Sequence, residues 1–152
     1  MTKLYLEDLQ PGMTFESGSH TLTAEEIKSF AALYDPQYFH LDEEAAKASL
    51  FGGLAASGWN VAAVTMRLLV DSSTIAGGLI GAGVELAWPR PTRPGDVLRV
   101  VSEVVEITPS RSRPERGMVL MRNNTFNQLN EIVQSQSVRM VVPRRPAAET
   151  EK

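Results

Sequence analysis

The chain has 152 residues, of which 43% are hydrophobic and 22% are charged, and its 15 basic and 18 acidic side chains give a net charge of −3. These values are typical of one soluble globular domain, which at this length buries about 70% of its unfolded surface and needs no metal or disulfide to fold. The acidic balance argues against a nucleic-acid partner, and no apolar run reaches the roughly 20 residues of a membrane helix.

Residue counts exclude further classes of site. The sequence has no cysteine, which excludes thiolate catalysis, disulfides and cysteine-ligated zinc. Its two histidines, His20 and His40, exclude a three-histidine metal site. Glu7 and Asp8 stand where a secretory signal needs an apolar stretch, so we expect a cytoplasmic protein.

The first predicted elements are a strand over 13–22, with His20 as a surface residue, and a helix that ends at Pro36. Thr23 and Glu26 have the spacing of a capping box, in which each side chain bonds the other residue's free backbone N–H. Apolar residues then recur at i, i+3, i+4 and i+7 on one helix face: Ile27, Phe30, Ala31 and Tyr34. The acidic run at 42–44 favours the first turn of a second, short helix.

A long helix is predicted from Gly58 to Asp71, with Ser57 as its N-cap. Its apolar side chains lie on nearly every side, which in a soluble protein requires that protein surround it. Arg67 and Asp71 lie four residues apart, so we expect a structural ion pair.

The second half of the chain predicts strands over 79–88, 97–107, 117–127 and 132–142. Helices followed by consecutive antiparallel strands indicate an α+β hot-dog fold, in which one curved antiparallel sheet wraps around the central helix. We expect a single domain over 1–143 and a flexible C-terminal tail over 144–152. Because one copy leaves a sheet edge and one end of the helix poorly covered, we also expect a homodimer or higher homo-oligomer.

Arginines concentrate in the second half of the chain. A cluster of them could bind a small phosphorylated ligand, or they could form an ordinary solvated surface: Arg90, Arg93, Arg111, Arg113 and Arg116.

Two features could carry chemistry. Asp35 and His40 lie five residues apart in a predicted loop between two helices, and together they can hold one water between an acceptor and a donor. Alternatively, Asp35 caps a turn and His40 is a hydrogen-bonded, half-buried histidine. Gly58 opens the central helix, where free N–H groups and the helix dipole form an oxyanion hole that a carbonyl oxygen can approach closely. Alternatively, Gly58 merely permits close packing of Trp59.

These residues belong to longer runs that resemble the hydratase signature of MaoC-like dehydratases. The likeness includes Tyr-Asp-Pro-Gln-Tyr-Phe-His at 34–40 and Ser-Gly-Trp at 57–59, and extends through 66–71, 90–96 and 109–114. Gln37 and Tyr38 stand where the signature often has Asn-Pro, and Ser57 stands where it often has His. The family includes dimeric, R-specific enoyl-CoA hydratases of hot-dog fold.

The resemblance implies that water adds reversibly to a 2-enoyl thioester of coenzyme A or acyl carrier protein. It makes Asp35 and His40 the catalytic dyad and the Gly58 N–H the donor to the thioester carbonyl. We expect Phe39 and Ser57 to contact the substrate, and Trp59 and Met66 either do so as well or belong to the core. We expect no metal and no cofactor, since the thioester itself acidifies C2.

Two other functions are compatible with the fold. A hot-dog thioesterase would hydrolyse the thioester, but the central helix has no Asp or Glu between Gly58 and Val70 to activate water at the carbonyl. A non-catalytic acyl-thioester-binding subunit would have no need of Asp35 and His40.

Overall fold

A computed structural model describes residues 2–148 of the chain and shows one antiparallel sheet curved around a long helix. Its five strands are β1 (Thr14–Thr21), β2 (Ile80–Ala87), β3 (Val97–Pro109), β4 (Arg116–Phe126) and β5 (Ile132–Pro143). Its four α-helices are α1 (Ala24–Tyr34), α2 (Tyr38–Leu41), α3 (Glu43–Lys47) and α4 (Gly58–Ser72). The predicted α+β hot-dog fold is confirmed.

The sheet has the strand order β1-β3-β4-β5-β2, and every neighbouring pair is antiparallel. Each pair contains a register shift, for example between Val104 and Glu106 on β3 and between Gly81 and Gly83 on β2. An extra residue in one strand bends that strand and increases its twist, so these irregularities allow the sheet to wrap around α4.

The concave face of the sheet and α4 form the core that positions the site. Val61 and Leu68 of α4 pack with Val100 of β3 and Val133 of β5, all of them buried. A second buried cluster of Leu, Ile, Val and Met side chains continues this core toward the other end of the sheet. The core therefore fixes both the direction of α4 and the position of its first turn.

The prediction that protein surrounds α4 holds for only part of its surface in a single chain. Trp59 is 61% exposed, and Met66 and Val70 are exposed on the same side of the helix. Next to Met66, Val84 of the edge strand β2 is also exposed. The all-round apolar sequence of α4 thus leaves an uncovered apolar face beside an uncovered strand edge.

Several local predictions are confirmed. Thr23 and Glu26 form both hydrogen bonds of the capping box. The Ser57 side chain caps α4 by accepting from the Trp59 N–H. Arg67 and Asp71 form an exposed ion pair with an Nε–Oδ2 distance of 2.7 Å. His20 is a surface residue of β1, where it lies 3.1 Å from the Glu26 carboxylate.

The predicted flexible tail begins with two residues that contact the domain. The Arg144 and Arg145 side chains lie 3.2 and 2.7 Å from the carboxylates of Glu7 and Asp8, and the Arg145 guanidinium stacks over Tyr5. The sequence gives no sign of this contact, because the oppositely charged residues lie far apart along it. The contact joins the two ends of the described chain. Residues 149–152 of the predicted tail lie outside the described residues.

No helix within residues 2–148 combines the length and the apolar character needed to cross a membrane.

The capping box gives a direct test of the α1 boundary. Thr23→Ala removes the acceptor for the Glu26 N–H, so we expect the free energy of unfolding to fall by about 1 kcal/mol. Urea denaturation measures this change. Ser29→Ala, at an exposed position within the same helix, is the matched control and should leave stability unchanged or slightly raised. Equal midpoints for Thr23→Ala and the unmodified protein would contradict the assigned cap.

Candidate active site

Asp35 and His40 are brought together by the break between α1 and α2. Asp35 is the C-cap of α1, where its N–H still bonds the Ala31 carbonyl. Pro36 cannot continue the helix, and the chain starts again as α2 at Tyr38. His40 therefore lies within a short helix, whereas the sequence analysis placed it in a loop. The short turn of helix points both side chains to the same side.

The His40 ring is buried, with 4% of the residue exposed, and both of its nitrogens have neighbours. Its Nδ1 lies 2.6 Å from the Ala55 carbonyl oxygen, and its Nε2 lies 3.3 Å from Asp35 Oδ2. Because a carbonyl oxygen only accepts hydrogen bonds, Nδ1 carries a proton and donates it to Ala55. In the neutral ring, Nε2 then presents a lone pair beside the Asp35 carboxylate.

The surroundings of Asp35 favour its ionised form. Partial burial raises the pKa of the carboxyl, but hydrogen bonds from Gln37 and Ser57, and the positive charge of His40 when its ring is protonated, hold the pKa below its ordinary value. The Gln37 contact is the shortest of these, with Nε2 donating to Asp35 Oδ1 at 2.6 Å. Near neutral pH the site therefore contains a carboxylate that can accept a proton.

A pocket of about 380 Å³ opens in front of His40 and the first turn of α4, within the size range of small-molecule sites. Gly58 lines this pocket, and its N–H is one of the helix-terminal donors that have no acceptor within the helix. Phe39 lines it too, as the sequence analysis expected of a substrate contact. The pocket thus combines the His40 imidazole, with Asp35 beside it, and a backbone donor.

Three other expected substrate contacts lie elsewhere. Ser57 is fully buried, and its hydroxyl bonds Asp35 and the Trp59 N–H. Trp59 projects outward with its ring edge-to-face against Trp88. Met66 lines a groove between α4 and strands β2 and β5. Positions 59 and 66 lie seven residues apart and share the exposed side of α4, whereas Ser57 precedes the helix as its N-cap.

Gly58 has a neighbour that the sequence did not suggest. A Cβ at Gly58 would lie 2.7 Å from Cδ2 and Cε2 of Trp88. The Trp88 indole is held there by a hydrogen bond from its Nε1 to Oε1 of the buried Gln134, at 2.9 Å. Trp88 therefore forms a wall of the pocket against the bare Cα of Gly58.

The predicted arginine cluster is divided between two ends of the sheet. Arg93 donates to the backbone carbonyls of Phe51, Gly53 and Leu54 and so fixes the loop that precedes Ala55. Arg90 lines the pocket and pairs with Glu131 at 3.1 Å. The remaining members lie at the opposite end of β3 or just beyond it: Arg111, Arg113 and Arg116.

Sequence reasoning missed three residues of the site. Gln37 had a usable signal, since it stands where the signature often has another amide. Arg93 and Trp88 had no such signal. The partners of Arg93 lie 39 to 42 residues away along the chain, and the partner of Trp88 lies 46 residues away. Only folding brings these side chains to Gly58 and to the loop before Ala55.

Comparison with known proteins agrees with this geometry. A model of the "MaoC like domain" family matches residues 8–124. The chain belongs to this family. The uncharacterized protein YdeM of Bacillus subtilis is 32% identical over 126 residues, which are 81% of this chain and 87% of YdeM.

Solved structures show the same relationship. The MaoC-like dehydratase from Rhodospirillum rubrum is 58% identical, with a TM-score of 0.93 over 95% of this chain and 99% of that one. The R-hydratase PhaJ1 from Pseudomonas aeruginosa is 25% identical, with a TM-score of 0.77 over 99% of this chain and 95% of its own. These likenesses place the family member described here in the general class of hydratases and dehydratases.

The contact between Gly58 and Trp88 can be tested by a double-mutant cycle. Gly58→Ala forces the indole away and breaks its bond to Gln134, so we expect a loss of about 1–3 kcal/mol in the free energy of unfolding. In a Trp88→Ala background the added methyl meets no ring, and the same change should cost little. Thermal or urea unfolding of the four proteins measures the coupling. Additive losses would show that Trp88 is not the reason for glycine at this position.

Proposed function

We propose that the protein hydrates the double bond of a 2-enoyl thioester, and dehydrates the 3-hydroxyacyl thioester in the reverse direction. The observation that carries this proposal is the contact between Asp35 and His40 beside the free N–H of Gly58. A carboxylate oxygen and an imidazole lone pair converge on one point, so both can accept hydrogen bonds from a single water molecule. That arrangement suits an attack by water more than an attack by a protein nucleophile.

In the proposed reaction the water oxygen bonds C3 of the enoyl group. Asp35 accepts the proton that this water loses, and His40 orients the water through Nε2. A proton of the dyad then goes to C2. Because the two side chains lie 3.3 Å apart, one proton can pass between them, and the dyad regains its starting state after each turnover.

The Gly58 N–H stabilises the negative charge that develops on the thioester oxygen during this addition. A backbone donor at the start of a helix is already oriented, so no reorganisation is needed as the charge forms. Loss of one such donor typically costs about 3 kcal/mol of transition-state stabilisation. The thioester acidifies C2, so the proposed reaction uses no metal and no redox cofactor.

The carrier of the acyl group is coenzyme A or acyl carrier protein. We assign R stereochemistry to the 3-hydroxyacyl product from the likeness to the R-hydratase PhaJ1, since the chain covers nearly all of that protein.

A second copy of the chain belongs to the same proposal. The exposed side chains Met66 and Val70 lie on one side of α4, and Met66 adjoins the exposed Val84 of the edge strand β2. An apolar face next to an open strand edge favours pairing with an identical surface, which would extend the sheet and cover the helix.

Hydration of crotonyl-CoA, followed as the loss of absorbance of the conjugated thioester, tests the proposal. Asp35→Asn keeps the shape of the side chain but cannot accept the proton, so we expect turnover to fall roughly 10²- to 10⁴-fold. Asp42→Asn is the matched control. Asp42 caps α3 by accepting from the Ala45 N–H, and asparagine caps a helix equally well.

Turnover above a tenth of the unmodified rate in Asp35→Asn would remove Asp35 as the base. A thiol reagent in the same assay, supplied with a saturated acyl-CoA, separates hydration from hydrolysis. Release of free thiol at rates comparable with hydration would identify a thioesterase instead.

The pH profile tests the role of Gln37. Its hydrogen bond favours ionised Asp35, so Gln37→Ala should raise the pKa of Asp35 toward its ordinary value. The reaction needs the carboxylate, and activity is lost as the pH falls through that pKa. The acidic limb of kcat/KM should therefore move to higher pH in Gln37→Ala, and Gln37→Asn should partly restore it. An acidic limb that stays in place would show that Gln37 does not set the ionisation of the base.

A further inference from the structure

A row of three polar side chains crosses the concave face of the sheet beneath α4. Strand register places Ser102 of β3 opposite Asn123 of β4, and Asn123 opposite Gln136 of β5. The next row toward the opposite end of the sheet is apolar and consists of Val104, Met121 and Val138. Polar groups at these inward positions are costly to bury unless something bonds them.

The adjacent row on the other side is at least partly bonded by the protein. Thr125 shares a hydrogen bond with Thr65 of α4 at 2.7 Å, and Gln134 accepts from Trp88 through Oε1, although its Nε2 has no partner among the described residues. By contrast, the Asn123 side chain has no hydrogen-bonding partner among residues 2–148, although the residue is only 3% exposed. Ser102, which is 5% exposed, has no side-chain partner in the described chain either.

Asn123 lines a groove that runs between α4 and strands β2 and β5. Its walls are apolar and include Ala62, Met66, Leu69, Leu79, Val138 and Met140. The groove continues past Asn123 under the end of α4, where Ser102 and Ser72 line it. Within the described residues no lysine or arginine lines either part.

The polar row lies a short distance from the proposed reaction centre. Trp88 contacts Gly58 and bonds Gln134, and Gln136 follows Gln134 by two residues on β5. Two residues of strand span about 7 Å. Ala62, one turn along α4 from Gly58, already lines the groove. An acyl chain whose carbonyl meets the Gly58 N–H and which follows α4 past Ala62 would bring its distal end toward Asn123.

We infer that the acyl group of the substrate carries a neutral hydrogen-bonding group, such as a hydroxyl or carbonyl, at the end that reaches Asn123. This inference rests on the proposed function and adds the class of its substrate. A buried amide without a partner favours a ligand that bonds it and opposes one that leaves it unpaired. A carboxylate does not suit the groove, because its lining provides no positive charge to pair with it.

Three enoyl-CoA substrates of similar length test this assignment on the unmodified protein. They are ω-hydroxyhex-2-enoyl-CoA, its isostere hept-2-enoyl-CoA, in which a methyl replaces the hydroxyl, and the corresponding ω-carboxyl compound. We expect kcat/KM for the hydroxyl substrate to exceed that of the methyl isostere by about tenfold. The carboxylate substrate should be the slowest of the three.

Equal or reversed preference between hydroxyl and methyl would overturn the inference, as would a preference for the carboxylate. Crotonyl-CoA serves as the reference. If it is hydrated while the hydroxyl gives no advantage, the substrate class is wrong and the proposed function stands. If no enoyl-CoA is hydrated, the proposed function fails and the inference fails with it.

Two variants assign the preference to Asn123. Asn123→Leu should reduce the hydroxyl-to-methyl ratio of kcat/KM to about one or below. Asn124→Leu is the matched control, because Asn124 is the next residue on β4, points to the other face of the sheet and bonds Ser135 there. A ratio that persists in Asn123→Leu, or that collapses equally in Asn124→Leu, would contradict the assignment. The comparison of substrates on the unmodified protein decides the inference if Asn123→Leu does not fold.

Discussion

The seating of α4 in the concave face of the sheet is the constraint on which the candidate site depends. The apolar side of this helix can be buried only if the sheet curves around it, and the strand irregularities permit that curvature. Once α4 is seated, its first turn has a fixed place, and the free Gly58 N–H points into a pocket that the preceding loop and Trp88 complete. The donor of the proposed oxyanion hole is therefore a consequence of core packing.

The same packing determines the orientation and the tautomer of the His40 ring through one backbone carbonyl. Ala55 accepts from His40 Nδ1, and its own N–H bonds the Phe39 carbonyl, so this peptide joins the loop before α4 to α2. Arg93 holds the residues just before it by their carbonyl groups. In this orientation His40 keeps Nε2 toward Asp35. The position of the Ala55 peptide thus sets the tautomer of the ring, with the proton on Nδ1.

Some polar side chains in the core form hydrogen bonds that stabilise the fold, and others remain free to bond a ligand. Thr125 and Gln134 are bonded by Thr65 and Trp88, and they tie the sheet to α4 and to the wall of the pocket. Asn123 lies one row further along and has no such bond among the described residues. Asn123 also lines the groove, so a ligand there can reach its amide. Other buried polar atoms of the core lack a partner within residues 2–148 too, namely Asn60 Nδ2, Thr92 Oγ1 and Gln134 Nε2, but neither Asn60 nor Gln134 lines this groove.

The sequence by itself determined the strands, the longer helices and their order, but not the short helix α2. The capping box at Thr23, the cap at Ser57 and the pair of Arg67 with Asp71 depend on residues at most four positions apart, and all three are present as predicted. Alternation in the second half of the chain gave the strands, and their order gave the hot-dog fold. The proximity of Asp35 to His40 was also visible, because a short break between helices joins them.

Only the tertiary structure decided what surrounds those residues. Trp88, which lies far from Gly58 along the chain, occupies the space that Gly58 leaves open. The arginines that looked like one cluster lie at opposite ends of β3, and the long apolar helix keeps one face uncovered. Each of these outcomes depends on contacts between segments tens of residues apart, which sheet register and helix orientation set together. Local sequence patterns specify which side chains turn inward, whereas the packed sheet and helix determine which of them meet.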